Sequence, residues 1–111
     1  MIDFAVETRE DGVGVVTPRG RLNMVSARRL KEVLSELVAA GTNRIVVDMA
    51  ETTFLDSSGL GALIGGLKSA RQAGGDLRIA RPTPSVVTVF ELTNLDKVLR
   101  ARDSVEEAFD D

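Results

Sequence analysis

The sequence contains no histidine, cysteine, tryptophan or tyrosine among its 111 residues. Without histidine, this chain alone cannot form the Ser-His-Asp or Cys-His groups used in nucleophilic catalysis. Without histidine and cysteine, it has none of the nitrogen and sulfur ligands that zinc sites use. Disulfide bonds are impossible for the same reason. An enzyme built on this chain would have to depend on carboxylates, serine, lysine and backbone groups.

Features of nucleic-acid binding and of membrane insertion are also scarce. The four aromatic residues are all phenylalanine, and they are few for stacking on nucleic-acid bases. The net charge of −3 argues against binding to the nucleic-acid backbone. No apolar run reaches the length of about 18 residues that a membrane-spanning helix needs. The acidic, alternating N-terminus MIDFAVETRE does not resemble a signal peptide. We therefore expect a cytoplasmic protein with no membrane span and no direct contact with nucleic acid.

Short strand-like segments alternate with amphipathic, helix-like segments along the chain. The predicted strands cover 2–7, 13–17, 44–49 and 76–80, with a weak fifth strand at 97–101. The predicted helices start at Ser26, at Asp56 or Ser57, at Thr83, and at Asp103, where Glu106 completes a capping box. This order predicts an α/β fold in one domain, residues 1–111, with a mixed, mostly parallel sheet and about four helices packed on it.

The segment 54–61, FLDSSGLG, is the first candidate for chemistry. A serine nucleophile needs a base, and Lys68 lies about 16 Å from Ser57 along a helix, too far for a dyad. The spacing of Gly59, Gly61 and Gly65 misses the dinucleotide-binding pattern by one residue. The nearby acids also lack calcium-loop spacing. We therefore expect no enzyme activity, no cofactor and no metal, and we expect this segment to begin a helix.

The outer face of the helix that follows is unusually bare. Its apolar positions fall on one inward arc, at Leu60, Leu63, Ile64, Leu67 and Ala70. On the opposite side the helical projection places small residues: Gly61, Ala62, Gly65 and Ser69, with Gly66 beside them. Because each glycine inside a helix costs about 1 kcal/mol relative to alanine, a functional reason is favoured over neutral drift. We predict a docking face that lets another protein's backbone approach closely.

The segment 46–79, VVDMAETTFLDSSGLGALIGGLKSARQAGGDLRI, resembles the signature region of STAS domains of the bacterial anti-sigma factor antagonist type. FLDSSGLG matches the family's hydrophobic-Asp-Ser-x-Gly-Leu-Gly core. GRLNMVSARRL, at 20–30, and FELTNLDKVLRARDSVEEAF, at 90–109, resemble the flanking regions, so the resemblance covers nearly the whole chain. The STAS fold, a mixed sheet with helices packed on it, is compatible with the predicted order of elements.

The resemblance implies a phosphorylation-controlled switch. The unphosphorylated antagonist would bind an anti-sigma factor that is also a serine kinase, and would thereby free a sigma factor. Phosphorylation of Ser57 would end that binding, and a serine phosphatase would restore it. Together, the docking face and the resemblance place the predicted partner surface at Arg21, Asn23, Asp56, Ser57, Ser58, Gly59, Leu60, Gly61 and Gly65.

Two positions depart from the family pattern. The family has an acidic residue at the position of Arg21 and an aspartate at the position of Asn23. Both changes remove negative charge, so we expect a partner surface that is less basic at this place. Asn23 can equally be a turn or capping residue. Arg21 and Asn23 therefore bear on which kinase recognises this chain as its substrate.

Two other functions stay open from the sequence. The chain could be a STAS interaction module of another assembly, such as a lipid-transport complex or a stress-signalling scaffold. It could also be a domain that binds a small molecule or a nucleotide. The complete phosphoacceptor motif and the length of the chain favour the anti-sigma factor antagonist.

Overall fold

A computed structural model of the chain describes residues 3–99 and 101–109. Its first half contains the strands β1 (Asp3–Thr8), β2 (Gly14–Leu22), β3 (Arg44–Asp48) and β4 (Thr52–Leu55), with helix α1 (Met24–Ala39) between β2 and β3. The second half contains helix α2 (Ser57–Gln72), strand β5 (Asp76–Ala80), helix α3 (Pro84–Leu92), a 3₁₀ turn (Leu95–Lys97) and strand β6 (Ala101–Arg102). Ile2 and Arg100, which the sequence placed in strands, lie outside the described residues.

The six strands form a mixed sheet, with β1-β2-β3-β5-β6 as its main order. Strand β1 pairs with β2 in antiparallel fashion, and the other pairings are parallel. Strand β2 is long enough to have two further partners: residues 14–16 pair with β3 and residues 20–22 pair with β4. The register shifts between Gly20 and Arg21, at the start of the pairing with β4. The predicted α/β class and the mostly parallel sheet are confirmed.

The main hydrophobic core lies between the helices and the sheet. It includes the apolar positions of α1 and α2 together with the inward side chains of the strands, among them Val16, Leu30, Ile45, Leu63 and Phe90. A smaller cluster of Val13, Val46, Ala80 and Ala108 is covered by the chain's last described residues. No helix in residues 3–99 and 101–109 is long and apolar enough to cross a membrane.

The structure corrects the C-terminal helix predicted at Asp103. Residues 103–109 form turns, and the Ser104 hydroxyl accepts the backbone N–H of Glu107 at 3.2 Å, where the expected cap would have been Asp103. The expected inward positions are nevertheless correct, since Ala108 is buried and Val105 and Phe109 pack on the smaller cluster. Residues 3–99 and 101–109 therefore contain three α-helices, where about four were predicted for the chain.

Two other boundaries differ from the predictions. Strand β4 was not predicted as a separate strand, since it spans four residues and follows β3 after a short turn. Within the weak strand predicted at 97–101, Lys97 ends the 3₁₀ turn, the next two residues lie outside any strand, and β6 begins at Ala101. The helix start predicted at Thr83 is confirmed, with proline as the first helical residue.

Candidate functional site

The candidate site lies where β2 and β4 end and where α1 and α2 begin. The backbone N–H of Asp56 donates to the carbonyl of Leu22 at 3.3 Å, so the start of α2 is tied to the end of β2. A side chain at Gly59 would place its Cβ atom 2.8 Å from the same carbonyl oxygen. The approach of the two elements therefore requires glycine at this position. It brings the segment 54–61 beside the end of β2, which contains Arg21, and beside Asn23, which connects β2 to α1.

Ser57 is the first residue of α2 and is exposed. Asp56 precedes it as the N-cap, and its carboxylate accepts the backbone N–H of Gly59 at 3.0 Å. Within the described part of the chain, the hydroxyls of Ser57 and of the half-buried Ser58 have no hydrogen-bond partner. The Ser57 hydroxyl is therefore accessible to an external reagent. It also lies at the positive end of the helix dipole, where an added anion is favoured.

Asn23 is the N-cap of α1, a role that the sequence had assigned to Ser26. Its side-chain oxygen accepts the backbone N–H groups of Val25 at 3.1 Å and of Ser26 at 3.3 Å. The Ser26 hydroxyl accepts the N–H of Asn23 at 2.9 Å, which completes a reciprocal capping box, and donates to the carbonyl of Arg21 at 2.8 Å. The capping interpretation of Asn23 is thus correct, and the loop is held by its own hydrogen bonds.

Arg21 and Phe54 face each other across the pairing of β2 with β4. The guanidinium carbon of Arg21 lies 4.2 Å from the centre of the Phe54 ring, the geometry of a cation–π contact. Arg21 is exposed and Phe54 is half-buried, so the contact sits at the surface. The stacking orients Arg21 toward solvent beside the start of α2. Sequence patterns did not reveal the contribution of Phe54, because the contact depends on the register of two strands.

The bare face predicted for α2 is only partly bare. At Gly61, which is exposed, and at Gly65, a Cβ atom would meet nothing within 4 Å. Ala62, however, is fully buried, and a Cβ atom at Gly66 would lie 2.5 Å from Leu34 of α1. The prediction that Ala62 and Gly66 belong to an open face is therefore wrong, because α1 packs on that side of α2.

Between the two helices lies a shallow groove of about 180 Å³, lined by Lys31, Leu34, Ser35, Gly65, Gly66 and Ser69.

Two other predicted site residues face inward. Gly59 is buried against Leu22 and Leu55, and Leu60 is 9% exposed. In the folded chain these two residues hold the start of α2 in place.

Residues 5–108 match the model of the STAS domain family, so the match covers nearly the whole chain. The chain belongs to the STAS domain family. A protein of Thermotoga maritima that carries a provisional designation as an anti-sigma factor antagonist is 31% identical over 102 residues, which cover 91% of this chain and 90% of that protein. The anti-sigma-B factor antagonist of Staphylococcus aureus is 29% identical over 99 residues, or 89% of this chain and 92% of the relative.

A solved structure is similar over nearly the same range. The crystal structure of an anti-sigma factor antagonist from Mycobacterium paratuberculosis has a TM-score of 0.86 and 28% identity, covering 99% of this chain and 92% of that one. This STAS domain therefore has the same fold as that structure.

Acids near the strand ends of this STAS domain pair with arginines of the same chain. Among the described residues there is no group of three His, Cys, Asp or Glu side chains that could hold an ion. Asp48 is buried at the end of β3 and binds Arg81 through two hydrogen bonds, and Glu51 pairs with Arg19 at 3.2 Å. The hydrogen bond and charge of Asp48 raise the pKa of Arg81 above its usual value. These acids thus serve ion pairs within the fold.

Two exposed apolar residues at the site were also missed. Met24 and Val25 follow Asn23 directly in the first turn of α1 and are 71% and 80% exposed. The amphipathic pattern of α1 predicts only the inward residues of the helix, beginning at Leu30. A search for apolar residues outside that pattern would have found both.

Proposed function

We propose that this STAS domain is an anti-sigma factor antagonist whose binding to its anti-sigma factor is ended by phosphorylation of Ser57. The observation that carries the proposal is the exposed Ser57 hydroxyl, without a hydrogen-bond partner in the described chain, at the first position of a helix capped by Asp56. The family match and the designations of the relatives in T. maritima and S. aureus support it.

Ser57 is better placed to receive a phosphate than to act as a nucleophile toward a substrate. It has no histidine to activate it, and Lys68 lies about three turns further along the same helix. A kinase would supply both the base and the ATP. The Ser57 hydroxyl oxygen would form a bond to the γ-phosphorus, its proton would pass to the kinase's base, and ADP would leave. Accordingly, the chain acts as a binding protein, and a serine phosphatase reverses the modification.

Phosphorylation is compatible with the fold. A phosphoserine adds about −1.5 to −2 charges at pH 7, and at a helix N-terminus such a charge is favourable by about 0.3–1 kcal/mol. Because the Ser57 side chain is exposed, no buried group has to move. Phosphorylation therefore changes the surface charge and not the fold. Asp56, next to Ser57, adds a further negative charge on the same side. A coupling of about 1–3 kcal/mol would lower partner affinity about 5–150-fold.

The surface that meets the partner is formed by the residues that surround Ser57. Arg21, held over Phe54, and the capped loop at Asn23 lie on one side. Gly61 and Gly65, where a Cβ atom would meet nothing, lie along α2. The groove between α1 and α2 continues this surface. Since anti-sigma factors act in the bacterial cytoplasm, we assign the protein to that compartment.

The test uses the serine-kinase anti-sigma factors of the source organism, each purified and titrated with variants of this chain. Ser57→Ala is expected to bind one of them, and Ser57→Asp is expected to bind about 5–150-fold more weakly. Ser85→Asp is a matched control, because Ser85 is an exposed serine in the first turn of α3. It should bind like the wild type. Equal affinities for Ser57→Ala and Ser57→Asp, with a native circular dichroism spectrum, would rule the proposal out.

A further inference from the structure

The first turn of α1 exposes two adjacent large apolar side chains, Met24 at 71% and Val25 at 80%. The inward face of this helix is formed by other residues, including Ala27, Leu30 and Leu34, which are buried. Met24 and Val25 therefore contribute little to the core. Other strongly exposed apolar residues exist, such as Leu92 at 79%, but Leu92 is the last residue of α3 and does not belong to the elements that form the site.

The apolar pair is bordered by positive charge. Arg28 lies one turn along α1, on the same face as Met24 and Val25, and Arg21 precedes the helix by three residues. Both arginines are exposed, and neither takes part in an ion pair within residues 3–99 and 101–109. The first turn of α1 contains no acidic residue. Along the chain, the exposed apolar pair is therefore flanked by an exposed arginine on each side.

This apolar and basic patch is continuous with the site around Ser57. Asn23, which precedes Met24, caps α1, and Leu22 accepts the backbone N–H of Asp56 at 3.3 Å. The hydrogen bonds of the capping box hold the loop, so the patch has a fixed position relative to the start of α2. A partner that covers Ser57 would therefore reach the first turn of α1.

We infer that Met24 and Val25 insert into an apolar recess of the anti-sigma factor whose border carries carboxylates, which meet Arg21 and Arg28. This inference rests on the proposed function and specifies the chemistry of the partner. Apolar anchors surrounded by charged or polar residues are the usual arrangement of energetically important interface positions. Carboxylates on the partner also give a physical reason for the switch, because they would repel a phosphate on Ser57.

A second copy of this chain fits the patch poorly. In a two-fold symmetric contact centred on Met24 and Val25, the Arg21 and Arg28 side chains of one copy would meet those of the other. Like charges placed together in this way oppose association. An anti-sigma factor with carboxylates at its surface meets the same patch with opposite charge.

The experiment measures the affinity of the purified anti-sigma factor for variants of the full chain. The double variant Met24→Ser with Val25→Ser and the charge reversal Arg28→Glu should each weaken binding about tenfold or more. Leu92→Ser is the matched control, since Leu92 is as exposed as Val25, and it should stay within about twofold of the wild type. Arg28→Lys keeps the charge and should retain most of the affinity. The loss caused by Arg28→Glu should decrease at high salt, because the contact is electrostatic.

The outcomes separate this inference from the proposed function. If Ser57→Asp abolishes binding while the Met24/Val25 double variant binds like the wild type, the apolar contact is refuted and the proposed function stands. If the double variant loses binding and Ser57→Asp does not, the contact stands and the phosphorylation switch falls. Tighter binding of Arg28→Glu would contradict the acidic border. Dimerisation of the free chain that the double variant removes would overturn the inference in favour of a second copy, and binding to none of the anti-sigma factors would overturn both proposals.

Discussion

Helix α2 uses glycine in two opposite ways on its two sides. On the inner side, Cβ atoms at Gly59 and Gly66 would come within 2.8 Å of the Leu22 carbonyl and within 2.5 Å of Leu34. On the outer side, Cβ atoms at Gly61 and Gly65 would meet nothing within 4 Å. The inner glycines let β2 and α1 approach the helix. No packing in the described chain explains the outer glycines, and this is the reason to assign their side of the helix to a partner.

The glycines of one helix can therefore have different roles, and each has to be assigned from what surrounds it. The same substitution, Gly→Ala, should have opposite effects on stability two residues apart. It should also separate stability from binding, since one side of α2 serves the fold and the other serves the proposed partner surface.

The largest expected effect is on binding, at Gly61. Gly61→Arg should leave the circular dichroism spectrum and the unfolding midpoint close to those of the wild type, because the added side chain points into open space. It should lower affinity for the anti-sigma factor by at least about 100-fold, or about 2.7 kcal/mol, since a long side chain keeps the partner's backbone away. Titration calorimetry measures this, with Gly61→Ala as the small control. Binding unchanged by Gly61→Arg would end the assignment of this face to a partner.

Gly59→Ala should show the reverse pattern. Its Cβ atom would lie 2.6 Å from Leu55 and 2.8 Å from a backbone carbonyl oxygen, which cannot rotate away. We expect a loss of about 2 kcal/mol in the free energy of unfolding. Gly61→Ala should instead gain about 0.5–1 kcal/mol, because alanine is the better helix former. Urea denaturation of the two variants checks both signs. A stabilised Gly59→Ala variant would show that the start of α2 is not held tightly against β2.

The far end of α2 should contribute to stability and not to binding. There Arg71 donates to Asp76 at 3.0 Å, and Arg78 donates to the same carboxylate at 3.2 Å. Partial burial opposes ionisation of Asp76, but the hydrogen bonds from Arg71, the backbone of Leu77 and Arg78 outweigh it, so the pKa of Asp76 lies below its usual 3.8.

A lowered pKa means that the ionised carboxylate stabilises the fold above about pH 4, and that this contribution is lost as the pH falls through the folded-state value. Asp76→Asn should therefore cost about 1.5 kcal/mol at pH 7, and the difference from the wild type should shrink below pH 4. Urea denaturation across this pH range, with the exposed Asp96→Asn as control, measures it. A difference that is constant with pH would exclude the ionised carboxylate as the cause, and partner binding should not change.

The smallest effects are expected at the adjacent pair Gly65 and Gly66. Gly65→Ala should gain about 0.5–1 kcal/mol of stability. Gly66→Ala should lose about 0.5–1 kcal/mol, because the Cβ atom would press on the side-chain ends of Leu34 and Leu77, which can move in part. Thermal unfolding of both variants under the same conditions decides the sign. Equal gains in both would show that α1 and α2 are packed less closely than the structure indicates.

Much of this fold could be predicted from local patterns. The periodic apolar residues of α1 and α2, the apolar run of β3 and the cap at Asp56 are signals that lie within one element. The sequence segment around Ser57 also indicated the family directly. These features need no knowledge of what packs against them.

The features that could not be predicted depend on contacts between distant segments. Strand β4 exists because residues 52–55 pair with residues 20–22 at the end of β2, on the far side of α1 and β3 in the chain. A helical projection of α2 placed Ala62 and Gly66 outside because it contains no information about α1. The capping pattern at Asp103 predicted a helix, but the segment forms turns. In these turns the Phe109 ring packs against two arginines: its centre lies 4.7 Å from the guanidinium carbon of Arg44 and 4.6 Å from that of Arg78.

The most direct test of the central claim follows the phosphate itself. The chain is incubated with ATP and its anti-sigma factor kinase, analysed by intact mass and peptide mapping, and then titrated against fresh anti-sigma factor. The account predicts one phosphate, located on Ser57, none on the Ser57→Ala variant, and an affinity of the phosphorylated chain reduced about 5–150-fold. A phosphate on Ser58 instead, or a chain phosphorylated on Ser57 that binds as tightly as the unmodified one, would contradict it.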